Sequence, residues 1–232
     1  MQPAFAFAAP DLRPWQGRLA PVALPARRRT PVGQLVKSMI SARTRDAVSI
    51  AAYRRLGERF GAAAGIARAE PAEVERLIGD VTFADAKAMR LVAALRLIEA
   101  SDGGFALAHL ATRPLDDALA WLERLPGVAR KVSASTLNAS TLGRPVMIVD
   151  THVLRVLARA GAVGPVADSR AGSEAVTAAM PDWSGDDFLA FHLQLKRLGQ
   201  EVCRWDVPRC EACPLADLCA TAGKRSGKRD PT

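Results

Sequence analysis

All four cysteines of the chain, Cys203, Cys210, Cys213 and Cys219, fall within seventeen residues near its C-terminal end, spaced C-x6-C-x2-C-x5-C. Nothing else in the sequence restricts the fold so tightly. Four thiols this close can surround one centre, and gathering them wraps the segment into a compact loop. Structural disulfides are rare inside cells, and no feature here suggests secretion. The opening "MQPAFAFAAPDLRPW" is apolar, but it lacks a basic start and is cut by Pro10. It reads as an irregular tail, not a signal peptide. A metal centre is therefore the expectation. Four thiolates are a normal zinc set and a normal iron–sulfur set, and the spacing alone does not choose between them.

The rest of the chain reads as helix. "PVGQLVKSMISA" starts with Pro at its first position. "DTHVLRVLARAG" opens on Asp150 and closes on Gly161, and "SGDDFLAFHLQLKRLGQEVC" has Ser184 as its N-cap. Apolar residues at helical spacing run through "RDAVSIAAYRRLGERF", "DAKAMRLVAALRLIEAS" and "PLDDALAWLERL". No alternating β pattern persists; "GRPVMIV" is the best strand candidate. The predicted class is all-α. Residues 1–30 hold five prolines and read as an extended arm. The tail "AGKRSGKRDPT" reads as disordered. No stretch approaches the roughly 18 apolar residues of a membrane span. The expectation is a cytoplasmic protein, nucleoid-associated in a bacterium, with no membrane partner.

The formal net charge is +8, a bias towards a polyanion. "WLERL-PGVA-RKVSAS" reads as helix, four-residue hairpin, helix. Pro126 fixes φ, Gly127 allows unusual backbone geometry, and Val128 completes the turn before Arg130. Amides of such a hairpin and of the next helix form an anion site, suited to a DNA phosphate, with Pro126, Gly127, Val128 and Arg130 as the expected DNA-binding residues. The alternative is an ordinary helix–helix turn. Lys131 follows the hairpin, and Asp150 comes nineteen residues on.

The hairpin with its Arg-Lys, the "VDTH" beyond it and the cysteine spacing occur in one order. Together they resemble the endonuclease III family of the helix–hairpin–helix DNA glycosylase superfamily, over roughly residues 31–219. The resemblance implies a six-helix barrel at 26–144 and a [4Fe–4S] cluster domain at 145–222. An N-terminal arm, 1–25, would pack with the cluster domain, and 223–232 would be the disordered tail. It favours the cluster over zinc. It also implies a monomer acting on double-stranded DNA with damaged bases or abasic sites. Oxidised pyrimidines would be excised and the strand cut by β-elimination. The other outcomes to weigh are a weak or uracil- and mismatch-directed glycosylase, and a catalytically silent iron–sulfur DNA-binding protein.

Lys131 and Asp150 are the implied catalytic pair. A neutral lysine attacks C1′ and forms a Schiff base; a carboxylate stabilises positive charge developing on the sugar. Arg130 and the following helix's N-terminus would disfavour the ammonium. Alternatively, Asp150 is only a helix cap and Lys131 a phosphate contact. Thr151 and His152 adjoin Asp150 on the DNA side, and Arg204 and Arg209 flank the first cysteine loop, placed to meet phosphate. Adenine-excising relatives use a Glu on an earlier helix, where this chain has Lys37; adenine excision is not expected.

The chain also departs from the family pattern. A second hairpin Gly is replaced by Ala129, whose methyl would crowd a phosphate. Arg43 stands at the usual Gln that fills the gap left by a flipped base. Arg donates only, whereas Gln also accepts, so Arg43 either favours an orphaned guanine or binds a phosphate. Phe83 stands at the usual Leu and is either an intercalating wedge or a core aromatic. Asp85 would repel phosphates.

Overall fold

The computed structural model describes residues 9–101 and 103–226. Twelve α-helices form among them: α1 Arg13–Arg18, α2 Pro31–Ser41, α3 Asp46–Phe60, α4 Ala63–Arg68, α5 Pro71–Leu77, α6 Ala84–Glu99, α7 Leu115–Glu123, α8 Arg130–Asn138, α9 Thr151–Ala160, α10 Ser169–Ala179, α11 Gly185–Glu201 and α12 Ala220–Ser226. No strand occurs among the described residues; one isolated bridge joins Arg29 to Ser140. The class is all-α, as expected. The chain divides into two compact units. One is 27–144; the other combines the segment before it with the segment after it.

In the 27–144 unit, α2 begins where Thr30 caps it, its hydroxyl accepting from the Gly33 amide at 3.2 Å. Its inward face carries Leu35, Val36, Met39 and Ile40, the i, i+1, i+4, i+5 pattern of a stripe facing a core. α6 buries Ala88, Leu91, Val92, Ala94, Leu95 and Ile98 and packs on α4 and α5. α8 is buried along almost its whole length, from Val132 to Asn138. A buried polar network joins it to α2: Gln34 Nε2 donates to Ser135 Oγ at 2.9 Å and to Ser38 Oγ at 3.1 Å, and the two serines bond at 3.0 Å. Satisfied buried networks of this kind fix register.

In the other unit, Leu12, Trp15 and Leu19 enter a core with Val153, Val156 and Leu157 of α9 and Phe188, Phe191 and Leu195 of α11. Trp183 packs edge-on against both phenylalanines. The arm is thus not simply extended: α1 interrupts it, and its apolar residues are buried. Residues 1–8 of the expected arm lie outside the described residues.

Two further expectations are corrected. In "GRPVMIV" Val146, Met147, Ile148 and Val149 are buried, yet the segment pairs with no strand. Its backbone is satisfied by side chains instead: Met147 N donates to Thr177 Oγ1 at 3.0 Å, Ser173 Oγ donates to Met147 O at 2.7 Å, and His192 Nδ1 lies 2.8 Å from Ile148 O. Buried backbone groups need partners but not necessarily a ladder. Residues 223–226 of the expected tail are helical, since α12 runs to Ser226; the remainder, 227–232, lies outside the described residues.

Candidate active site, wedge loops and cysteine centre

The hairpin follows α7. Gly127 has φ +79, and a methyl on it would lie 3.0 Å from Arg90 Cδ and 3.1 Å from its Cβ. Glycine is needed there for both conformation and space. Val128 N donates to Leu125 O at 3.1 Å and its side chain is buried. Ala129 is extended (φ −105, ψ 175), so its backbone does not demand glycine, and it leaves α8 without a side-chain cap. An uncapped helix start following an exposed Gly127 suits an anion.

The buried Val128 side chain is an apolar anchor of the turn. One sequence expectation changes here. Arg130 is turned inward: its Nε donates to Glu123 Oε1 at 2.6 Å, with 8% and 10% of the two side chains exposed. Ser133 Oγ donates to the same oxygen at 2.8 Å. The guanidinium serves the interior, and its charge is balanced locally. A guanidinium this deeply buried is tolerated because a carboxylate is buried with it.

Lys131 points the other way. It is half-buried, and its Nζ donates to Ser41 Oγ at 3.1 Å. Ser41 Oγ donates to Ser38 O at 3.0 Å. Ser41 carried no signal in the sequence beyond its place at the end of α2.

Arg43 and Phe83 project from neighbouring loops of this unit. Both are left-handed, with φ 54 and 59. The Arg43 guanidinium carbon lies 6.0 Å from the Phe83 ring centroid. Phe83 is 57% exposed, so it is no core aromatic. Asp85 is exposed in the first turn of α6, where the helix dipole favours its charge. Beneath the two loops lies Lys87, whose Nζ bonds Ile40 O, Ala42 O and Thr44 Oγ1. Burial draws its pKa down to about 8. No sequence pattern set it apart from other lysines on helices.

In the other unit, Asp150 caps α9: Oδ1 accepts from His152 N and Val153 N, both at 2.9 Å. Burial alone would raise its pKa. The charge of His192, the Val153 amide, Lys196 and His152 together outweigh that and hold the carboxyl below its ordinary value of 3.8. It is a carboxylate at neutral pH. Thr151 is exposed, and the His152 ring lies 3.2 Å from Arg155 Nη2. A methyl on Gly199 would meet His152 O at 2.9 Å, so this glycine lets α11 approach α9 closely.

The four cysteines line one cavity with Arg159, Val202 and Ala222. Burial, followed by the neighbouring thiols, pushes Cys213 up. Among the described residues no three ligating groups stand where they could share one metal ion. Arg159 ties the loop down: Nη1 donates to Arg204 O at 2.6 Å and Nη2 to Trp205 O at 3.1 Å, and Nη1 lies 3.5 Å from Cys203 Sγ. Arg204 and Arg209 are exposed. Arg204 pairs with Asp206 at 3.2 Å, and Arg209 donates to Glu201 O. Four thiols round one cavity, with the Arg159 guanidinium at its wall, have the donor chemistry of a thiolate-bound centre larger than a single ion.

The model of the "HhH-GPD superfamily base excision DNA repair protein" family matches residues 36–179. The chain is 29% identical over 189 residues to endonuclease III of Thermotoga maritima, covering 82% of each protein. It is 31% identical over 198 residues to endonuclease III of Synechocystis sp., covering 83% of this chain and 82% of that one. A solved structure of a trapped endonuclease III–DNA covalent intermediate, an estranged-adenine complex, superposes with a TM-score of 0.71 at 25% identity over 88% of both chains. A family match spanning more than half of the chain, and a relative above 30% identity covered over most of its length, establish that this protein belongs to the endonuclease III family of the HhH-GPD superfamily and is a DNA glycosylase of base excision repair.

Proposed function

We propose that the protein is a bifunctional glycosylase and AP lyase. It excises oxidised pyrimidines from duplex DNA and cuts 3′ to the abasic site, as a monomer. The observation that carries this reading is the half-buried Lys131 amine, held by Ser41 beside the hairpin. As a neutral amine it attacks C1′; the N-glycosidic bond breaks and the base leaves with a proton. The lysine nitrogen then expels O4′, breaking the C1′–O4′ bond and opening the sugar ring as O4′ takes a proton from water, and the resulting imine acidifies C2′. Loss of a C2′ proton breaks the C3′–O bond and expels the 3′ phosphate, and water then releases the lysine. Asp150, ionised at neutral pH, stabilises positive charge on the sugar. Cys203, Cys210, Cys213 and Cys219 would hold the [4Fe–4S] cluster, whose chemistry here is to brace the loop carrying Arg204 and Arg209.

The test is borohydride trapping on duplex DNA with a preformed abasic site. A covalent adduct that Lys131→Gln abolishes is expected. On a second duplex that carries an oxidised pyrimidine, base release without any adduct would make the enzyme monofunctional; neither activity would leave a silent DNA-binding protein.

A further inference from the structure

Of the three non-glycine residues with positive φ among the described residues, two are Arg43 and Phe83. Such conformations persist where surrounding contacts over-determine them. The contacts here converge on one amine and one hydroxyl. Lys87 Nζ donates to Ile40 O at 3.0 Å, Ala42 O at 2.6 Å and Thr44 Oγ1 at 3.2 Å. Thr44 Oγ1 also accepts from Thr82 N at 3.2 Å. Arg43 therefore sits between two anchored residues, and Phe83 directly follows a third. The ammonium also meets the last carbonyls of α2, which lack helical partners and carry the negative end of the helix dipole.

We propose that Lys87 is a positioning residue that, through Thr44, holds Arg43 and Phe83 together as a preassembled two-pronged wedge for the DNA stack. This rests on the glycosylase reading. Lys87 touches neither lesion nor reacting atoms. It decides whether the side chains that fill the vacated stack are already in place when the duplex arrives. A mobile pair would have to be ordered during base flipping, which slows the committed step.

The experiment uses the full chain and a duplex carrying 2-aminopurine opposite a tetrahydrofuran abasic analogue, which the enzyme binds but cannot process. Fluorescence then reports entry of the wedge beside the orphaned base, independently of chemistry. Lys87→Met and Thr44→Val should each lose most of the fluorescence change at saturating protein, and Lys87→Arg should restore it. On a cleavable lesion, Lys87→Met should lower the single-turnover rate about tenfold or more. In a Phe83→Ala background the same substitution should add little, because residues acting as one unit are not additive. A full fluorescence change in Lys87→Met, or a full additive loss in the double variant, overturns the proposal. Should Lys87→Met fail to fold, Thr44→Val decides alone. If the wild type binds and shifts the fluorescence but releases no base, the wedge stands and the catalytic reading falls.

Discussion

Lys131 and Ser41 meet at 3.1 Å, three residues along α2 and four along α8 from the place where Ser38 and Ser135 meet at 3.0 Å. The two contacts lie on matching faces of the same helix pair, so the buried serine bond sets the register that delivers the lysine. Ser41→Ala should slow adduct formation about tenfold, the scale of a small misplacement at a reacting group. Its unfolding free energy should change by no more than about 1 kcal/mol, the worth of one hydrogen bond. Single-turnover trapping alongside urea denaturation checks both. An unaltered trapping rate would show that the lysine is aimed by something else.

Arg130 and Glu123 form an interior pair, and breaking it strands a charge. Glu123→Ala should cost about 3–5 kcal/mol of stability. Replacing both residues together, as Arg130→Met with Glu123→Leu, should be nearly neutral. Denaturant melts of the three proteins measure this. The double variant should also keep the same salt dependence of DNA binding, because this arginine neutralises no phosphate.

Asp150 combines a cap and a charge, and Asn separates them. Asn caps helices about as well as Asp, so Asp150→Asn should fold normally at pH 7 while losing about a hundredfold or more in base excision. The pH behaviour follows from its lowered pKa. The carboxylate's contribution to stability is complete above the unfolded-state value near 3.8 and is lost as pH falls through the lower folded-state value. Wild type should therefore lose stability more steeply than Asp150→Asn on acidification below about pH 4. Parallel curves would mean that the carboxylate is not held ionised.

The helices most readable in the sequence carried their own punctuation. Pro31 and Thr30 start α2, Asp150 and Gly161 bracket α9, and Ser184 with Asp187 forms the capping box of α11. Those signals are local, so the sequence displays them. The errors were not local. "GRPVMIV" has the apolar run of a strand, but side chains 26 to 44 positions away bond its Met147 and Ile148 backbone. Arg130 looked like a DNA contact because it adjoins Lys131; its direction depends on Glu123 one helix earlier. Lys87 was invisible because its meaning lies in three acceptors some 43 to 47 residues upstream.

The cysteine centre makes a separate prediction. Protein purified without oxygen should be yellow-brown, absorb broadly near roughly 400 nm, bleach on reduction and carry about four irons per chain, as a four-thiolate cubane does. Cys213→Ser should lose that colour, and it should weaken DNA binding through the loop that carries Arg204 and Arg209. Stoichiometric zinc in place of iron would falsify the cluster assignment.

Arg43 sets the last prediction. Its guanidinium carries donors and no acceptor, and it stands by an exposed phenyl ring in the pair held over Lys87. If it fills the stack, it meets the base opposite the lesion. Guanine offers O6 on its Watson–Crick edge and N7 beyond; adenine's Watson–Crick edge offers only N1. A well-formed Arg–guanine contact in the major groove discriminates by about 1–3 kcal/mol. Here the side chain enters the stack rather than a groove, so the expected preference lies at the lower end, about fivefold. Lesions opposite G, including uracil and oxidised cytosine products, should therefore be excised faster than the same lesions opposite A. Arg43→Gln restores an acceptor and should flatten the difference. A panel of lesion duplexes against all four bases measures it. Equal single-turnover rates opposite G and A in the unmodified protein would leave Arg43 as a phosphate contact, and its substitution would then weaken binding to every duplex alike.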